Sequence, residues 1–230
     1  MAKVILGPMV GAASGSIGAT VFSHNRYGTY TRRRAIPVTS TTVAATNAKA
    51  RLTTRSQAWQ ALAPASQLAW CEWALDHPIT DTLGQQQTLQ ANAAFLRLNL
   101  RIEAAGFVPI TEPPVIAPPP GLLSLIQDGD IGVGDVDIAF TTSPIGADSV
   151  LYIRAAVVNS AGILYVQNLL RLIGVSGLAA TTPFDNQSLI ETRFGTLIVG
   201  QTLHVEVSVL NTVTGLLSGA LKSKTLITTT

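Results

Sequence analysis

The sequence predicts an α+β protein with an N-terminal β-ribbon arm, a small three-helix segment and a C-terminal antiparallel β-sandwich. Three observations lead to this prediction. All three tryptophans lie within residues 56–73, in an alanine-rich stretch that Pro64 interrupts. Five prolines in residues 111–120 then form a stiff, extended segment. Beyond them the apolar residues recur at every second position, which is the period of a β-strand.

The composition shifts divide the chain into four parts. We expect an extended arm and β-ribbon at residues 1–40 as the assembly element, and a helical domain at 41–110. A proline-rich linker at 111–120 then leads into a β-sandwich at 121–230. Because proline-rich segments are stiff, we expect the linker to hold the sandwich away from the helices.

The chain is apolar and carries few charges. Hydrophobic residues make up 47% of it and charged residues only 12%, against about 25% in an ordinary soluble domain. The mean hydropathy is +0.36, but no membrane span is predicted, because glycines and Pro8 interrupt the apolar run at 4–23. We therefore expect an obligate assembly subunit whose neighbours cover much of its surface, and no membrane partner.

The charge is unevenly distributed along the chain. Residues 1–55 hold eight basic residues and no acidic one, whereas residues 106–230 hold five basic and nine acidic residues. Such asymmetry indicates contact with a partner rather than a fold. We interpret it as a basic arm that binds the acidic domain of a neighbouring subunit.

Residues 19–23 and 28–32 are predicted to be two short strands joined at 24–27. A two-stranded ribbon is marginally stable in water, so we expect it to add to the sheet of a neighbour. Val21 and Tyr30 are predicted cross-strand neighbours in this ribbon. The predicted assembly interface comprises Val21, Phe22, Arg26, Tyr27, Tyr30, Arg32, Arg33 and Arg34.

Three helices are predicted at 44–62, 65–76 and 86–105. Proline is tolerated in the first turn of a helix, so Pro64 marks the start of the second, and Gly106 ends the third. The predicted helical core comprises Leu52, Trp59, Trp70, Trp73, Phe95 and Ile102, with contact to a partner as an alternative for Trp73. Arg97 and Arg101, four residues apart, mark the wet or partner-facing side of the third helix. Cys71 is expected to be a small buried side chain.

Alternating patterns predict the strands of the C-terminal half. Val136, Ile138 and Phe140 alternate with polar or small residues, and residues 203–209 do the same around His204, Glu206 and Ser208. Further strands are predicted at 150–158, 163–172, 188–194 and 218–228. About seven short strands in this length are typical of a β-sandwich.

Two parts of this half carry a family pattern. Residues 203–211, followed by Gly215 and Ser218, resemble the last two strands of fibronectin type III and immunoglobulin-like modules. Residues 134–140, after the proline entry, resemble the first part of such a module. The resemblance implies a role in adhesion or spacing rather than catalysis.

The N-terminal half has a resemblance of its own. Its glycine-rich ribbon at 14–28, the Arg32–Arg34 cluster, and Trp59 and Trp70 separated by a Leu-Ala-Pro turn resemble uncharacterised proteins of tailed bacteriophages. The resemblance implies a structural virion protein (capsid decoration, neck or tail) that is assembled in the host cytoplasm. Its partners would be copies of itself and other virion proteins, and the sandwich could contact a host surface.

Two other functions fit parts of the sequence. A bacterial surface filament or adhesin subunit assembled by strand exchange is the alternative, but the first residues match a secretion signal poorly. The arginine cluster with Tyr27 and Tyr30 could bind nucleic acid, although pairing with an acidic neighbour fits its alternating pattern better.

Chemical sites are weakly indicated. Residues 128–137 resemble a calcium loop but lack its glycine at the sixth position. His24, His77 and His204 lie in separate segments without metal-ligand spacing, and each is expected at a surface or interface. We expect no catalytic residue, no cofactor and no enzymatic activity.

Overall fold

The computed structural model describes residues 2–3, 13–25, 28–35, 42–80, 84–131 and 136–229. The chain divides into two compact units, Met1–Ala48 and Lys49–Thr230. The described residues form helices and antiparallel sheets in separate parts of the chain, which confirms the predicted α+β class.

The first unit contains a four-stranded antiparallel sheet, which we call the N-terminal sheet. Its strands are β1 (Ala2–Lys3), β2 (Gly15–Ile17), β3 (Thr20–Asn25) and β4 (Gly28–Arg33), in the order β1-β4-β3-β2. The predicted ribbon corresponds to β3 and β4. The expectation of a lone ribbon is wrong, because β2 pairs with β3 and β1 pairs with β4.

Three helices follow: α1 (Val43–Ala61), α2 (Pro64–Asp76) and α3 (Ala91–Ala104). Pro64 lies in the first turn of α2, where its missing N–H costs no hydrogen bond. The helix α3 begins later than the predicted residue 86, because β5 (Ile79–Thr80) and β6 (Gln86–Gln87) pair as a short hairpin before it. Gly106, at φ +82°, follows α3 in the left-handed conformation that commonly ends a helix.

Two antiparallel sheets form the C-terminal part of the chain. The three-stranded sheet has the order β11-β8-β7 and the four-stranded sheet the order β10-β9-β12-β13. Their strands are β7 (Ser124–Gln127), β8 (Asp137–Thr141), β9 (Ser149–Val158), β10 (Arg171–Val175), β11 (Phe184–Asp185), β12 (Thr202–Asn211) and β13 (Leu221–Leu226). One helix, α4 (Gln187–Phe194), follows β11.

The two sheets bury a shared apolar cluster, as in a β-sandwich. Val136, Ile138 and Phe140 of the smaller sheet are buried together with Ile153 and Val207 of the larger one. Their alternation in sequence places them on the inner faces, because successive side chains of a strand point to opposite sides. The main core therefore follows directly from the period of two.

Two strand predictions are wrong. Residues 188–194 lie in α4, which follows a turn in which the Asp185 carboxylate accepts a hydrogen bond from the Gln187 backbone N–H at 2.8 Å. The helix buries Ile190 and packs Leu189 against Gly174. Of the predicted strand at 163–172, only its last two residues are extended, in β10, because turn hydrogen bonds to the Val166 carbonyl precede it.

The four-stranded sheet is covered on its outer face as well. There, Val150 and Leu210 pack against Ala105, just after α3, together with Phe107 and Tyr152. Consequently nearly every residue of β12 is buried, whichever way its side chain points. The expectation that His204 lies at a surface or interface is wrong, since this side chain is only 8% exposed.

The proline-rich segment lies against the helices. The Trp70 indole N–H donates to the Thr111 carbonyl at 2.8 Å, and the Trp73 indole N–H donates to the Pro114 carbonyl at 3.0 Å. Just before the segment, the Asn99 amide oxygen accepts from the Ile110 backbone N–H at 2.7 Å. The prediction that this segment holds the sandwich away from the helices is therefore wrong.

Gly215 provides a test of the contact between α3 and the sheet. A Cβ atom at this position would lie 2.9 Å from the Leu98 carbonyl oxygen and 3.0 Å from the Ile102 side chain. We expect Gly215→Ala to lower the free energy of unfolding by about 2–4 kcal/mol, from overpacking plus left-handed strain. Urea denaturation measures this value.

Gly106→Ala is the matched control for this substitution. Gly106 has a similar φ of +82°, but nothing lies within 4 Å of its added Cβ. We expect it to report only the backbone strain, about 1 kcal/mol. Equal losses for the two variants would contradict the close contact at Gly215.

Candidate functional site

The predicted assembly surface lies on the N-terminal sheet, where the strand register decides which residues share a face. Val21 lies opposite Arg32, and Phe22 lies opposite Thr31. Since successive side chains alternate between faces, the predicted interface cannot be one continuous face. Its described strand residues divide into Val21, Tyr30 and Arg32 on one face and Phe22 and Arg33 on the other.

Three details complete the predicted interface. Tyr30 lies opposite Ser23, so it is a diagonal neighbour of Val21 on the same face rather than its direct partner. Arg34 follows β4, and its backbone N–H donates to the Ala19 carbonyl at 2.7 Å. The two remaining predicted interface residues, Arg26 and Tyr27, lie outside the described residues.

The described side chains of the N-terminal sheet are not buried. Every described side chain of β2, β3 and β4 is exposed or half-buried, and Ile17 is 76% exposed. Phe22 and Val21 remain half-buried although they are the largest apolar residues of β3. A small sheet normally requires an apolar surface to pack on for stability. The described strands of this sheet leave these apolar side chains partly exposed.

The arginine cluster lies at the surface. Arg32, Arg33 and Arg34 are all exposed. Because charges in water interact weakly with one another, such a cluster acts mainly through an acidic or phosphate-bearing partner that approaches it. Tyr30, on the same face as Arg32, is half-buried, and Tyr27 lies outside the described residues.

The tryptophans form a structural cluster in the helical segment. Trp70 is fully buried, and its ring meets the ring of Phe95 edge-on, with centroids 5.4 Å apart. Trp59 contacts Phe95 from another side at 5.5 Å, and both Trp59 and Trp73 are half-buried. Ile102 is also fully buried. These indoles fill space between the helices, and the N–H groups of Trp70 and Trp73 also bind the proline-rich segment.

Two predictions for this segment are wrong. Leu52 is 47% exposed, and α1 has no buried residue at all, so Leu52 does not belong to the helical core. Instead α1 is held in part by polar contacts, since Arg55 lies 2.9 Å and Arg51 4.0 Å from the Glu103 carboxylate of α3. Cys71 is exposed rather than buried, because it lies on the outer side of α2.

A charged group on the outer face of the four-stranded sheet was not predicted. The Glu206 carboxylate accepts a hydrogen bond from the Arg154 guanidinium at 2.6 Å and lies 3.7 Å from the Lys222 ammonium. Arg154, Glu206 and Lys222 are direct cross-strand partners. Glu206 is almost fully buried, so the two cations supply the neutralisation that a buried carboxylate requires. The pairing of β12 with β9 and β13 brings these three residues together although they are far apart in sequence.

A loop at residues 159–170, which we call the covering loop, lies over the same face. The Lys222 ammonium donates to the Gln167 side chain at 2.9 Å, and the Lys224 ammonium donates to the Ala161 carbonyl at 2.8 Å. A cavity of about 270 Å³ between loop and sheet is lined by Tyr165, Leu170 and His204, among others. The loop therefore converts an open sheet face into a partly enclosed one.

His204 lies beneath the covering loop. Its Nε2 atom is buried without a hydrogen-bond partner. Burial lowers the pKa of His204, and the nearby Lys224 ammonium lowers it further, while the Ile163 backbone raises it. Burial and the neighbouring cation therefore both favour the neutral imidazole.

The remaining candidate sites are the weakly indicated metal and calcium sites. Among the described residues, no group of three or more His, Cys, Asp or Glu side chains could hold a metal ion. The Asp128 carboxylate accepts from the Gly129 and Asp130 backbone N–H groups, which is a local turn, and residues 132–135 of the calcium-like loop lie outside the described residues. None of the described helices is both long and apolar enough to cross a membrane.

Comparisons with known proteins found no similarity. No family model matches the chain, and neither a curated protein nor a solved structure matches it significantly.

The tryptophan cluster leads to a stability prediction. We expect Trp70→Ala to lower the free energy of unfolding by about 3–5 kcal/mol, because it removes a fully buried ring and leaves a cavity. The control Leu75→Ala, on the same helix but 67% exposed, should change it by no more than about 0.5 kcal/mol. Chemical denaturation monitored by circular dichroism compares the two, and similar values would contradict a core role for Trp70.

His204 leads to a prediction about acid stability. Its folded-state pKa is below the unfolded value of 6.5, so below that pH the unfolded state binds more protons than the folded state. The stabilisation from neutral His204 is complete above pH 6.5 and is lost as the pH falls towards the folded-state pKa. His204→Phe should therefore reduce the decrease in melting temperature that occurs as the pH falls below 6.5. The control His24→Gln, at an exposed residue, should leave the fall unchanged.

Proposed function

We propose that this protein is a structural subunit of a tailed-phage virion and that it joins the assembly through its N-terminal sheet. One observation carries the proposal: no described side chain of β2–β4 is buried by the chain. The resemblance of residues 14–75 to tailed-phage proteins supports a virion as the assembly. The candidate locations within the particle are capsid decoration, the neck and the tail.

The contrast between the two units supports the role of this sheet. The second unit buries three apolar clusters, centred on the sheets, the helices and their junction. The described strands of the N-terminal sheet contain Val21, Phe22 and Tyr30, yet none of them is more than half-buried. The apolar surface that would stabilise this sheet is therefore best supplied by another chain.

The charges support a head-to-tail contact. Arg32, Arg33 and Arg34 are exposed at the end of β4, whereas residues from 106 onward carry four more acidic than basic residues. Exposed acids there include Asp148 and Asp185. Opposite charges on two different surfaces of one chain favour a heterologous interface, which builds rings or filaments.

The second unit also offers apolar surface to neighbours. Leu68 and Leu75 of α2 are seven residues apart, on one side of the helix, and both are exposed. Leu123 and Ile126 are exposed at β7. Apolar side chains clustered at a surface are typical of interaction sites, and they agree with the low charge of the composition.

Removal of the N-terminal sheet tests the proposal. A chain lacking residues 1–41 should keep a cooperative melting transition, because the described core lies in the second unit, but should lose self-association. Light scattering after size-exclusion chromatography gives the mass of each species. Assemblies of unchanged mass in the truncated chain would contradict the role of the sheet.

A charge reversal tests the polarity of the contact. Arg32→Glu, Arg33→Glu and Arg34→Glu together should weaken self-association at least tenfold, about 1.4 kcal/mol, at low salt. The control Arg193→Glu reverses another exposed arginine, in α4, and should have little effect. Equal effects would mean that net charge, not the cluster, controls association.

Incorporation into the virion is tested separately from self-association. A tagged chain produced during phage infection should co-sediment with intact particles purified on a density gradient. Self-association without incorporation into particles would contradict the proposed virion role but not the proposed role in assembly. That result would favour a subunit of a surface filament.

A further inference from the structure

A second cavity, of about 290 Å³, lies between the helices and the start of the last hairpin. Its walls include Trp73 of α2, Leu98, Arg97 and Arg101 of α3, and Leu89 and Leu216. None of its lining side chains carries a hydroxyl, an amide or a carboxylate. The cavity is therefore apolar except for two guanidinium groups and the His77 ring, which is stacked on Trp73 at 4.3 Å.

The two guanidinium groups belong to one face of α3. Arg97 and Arg101 are four residues apart, so their side chains are neighbours on the helix. Among the described residues, no carboxylate lies within ion-pair distance of either one, because Glu103 of the same helix pairs with Arg55 and Arg51. Arg97 is exposed, whereas Arg101 is half-buried.

The positive charges of Arg97 and Arg101 destabilise each other in this cavity. Burial and the charge of Arg97 lower the pKa of Arg101 to about 10, although Tyr152 acts in the opposite direction. Two like charges in a partly dry site repel each other, and a bound anion would relieve both penalties. A lone arginine on a wet surface would show neither effect.

We propose that this cavity binds a carboxylate carried on a small apolar body. Arg97 and Arg101 would hold the carboxylate, because a guanidinium matches its two oxygens with parallel hydrogen bonds. Leu89, Leu98 and Leu216 would contact the apolar part. The volume lies at the lower end of the usual range for ligand sites, about 300–1,000 Å³, which suits one ring or a short aliphatic chain.

A carboxylate fits this cavity better than a phosphate. Phosphate sites usually supply several donors, such as backbone N–H groups at a helix N-terminus. Here Arg97 lies near the middle of α3 and Arg101 in its last turn, and the remaining walls are apolar apart from the His77 ring. The site thus combines two guanidinium groups with a large apolar contact, which favours an organic acid or the carboxylate end of a chain.

Titration of the full chain with benzoate tests the proposal. Binding is followed through the Nε–Hε resonances of the arginines and through tryptophan fluorescence, since Trp73 lines the cavity. We expect saturable shifts of the Arg97 and Arg101 signals. Benzamide, which has the same ring without the charge, should bind at least tenfold more weakly, and inorganic phosphate should not displace benzoate at equal concentration.

Substitutions complete the experiment. Arg101→Met and Arg97→Gln should each weaken benzoate binding at least tenfold, whereas Arg193→Met, in α4, should leave it unchanged. Arg97 is exposed, so its variant is expected to fold even if the Arg101 variant does not. Unchanged benzoate affinity in Arg97→Gln would overturn the proposal.

Three other outcomes would overturn it as well. Equal binding of benzamide would mean that the cavity recognises only the ring, and displacement by phosphate would mean a general anion site. Asp81, which follows β5 in the sequence, lies outside the described residues. If benzoate binds only after Asp81→Asn, the chain's own carboxylate occupies the arginines.

Discussion

The burial of the four-stranded sheet on both faces is the constraint on which the second unit depends. Its inner face packs on the smaller sheet, and its outer face contacts the residues around the end of α3 and the covering loop. Any charged residue on the outer face must then be neutralised inside the protein. Arg154, Glu206 and Lys222 satisfy this requirement through the strand register.

The contact between α3 and the four-stranded sheet also explains the course of the proline-rich segment and the role of the tryptophans. Because α3 lies against the sheet, the chain that joins them must run back along the helices. Asn99, fully buried, both donates to and accepts from the Ile110 backbone, and two indoles donate to carbonyls further along. Buried backbone groups need partners, and these side chains supply them where a proline-rich chain lacks N–H groups for a sheet. The tryptophans therefore connect the two halves of the unit.

The distribution of burial also bears on function. Apolar side chains in the second unit are enclosed, while those in the described strands of the N-terminal sheet are only half-covered. The basic cluster lies next to this uncovered surface and the acidic excess lies elsewhere in the chain. The proposed head-to-tail assembly requires this kind of division. The arginine-lined cavity is a separate feature, since its walls belong to the second unit alone.

The sequence by itself determined the α+β class, the three helices and the inner faces of the main strands. Proline, glycine and periods of two and about four act locally, so Pro64, Val136 and Ile138 could be interpreted without knowledge of distant contacts. Only the tertiary structure decided the burial of His204 and Glu206, the helix at α4, the exposure of Leu52 and Cys71, and the course of the proline-rich segment. Each of these features depends on packing between elements that are far apart in the sequence. A periodic pattern shows that a side chain shares a face with others, but it cannot show what covers that face.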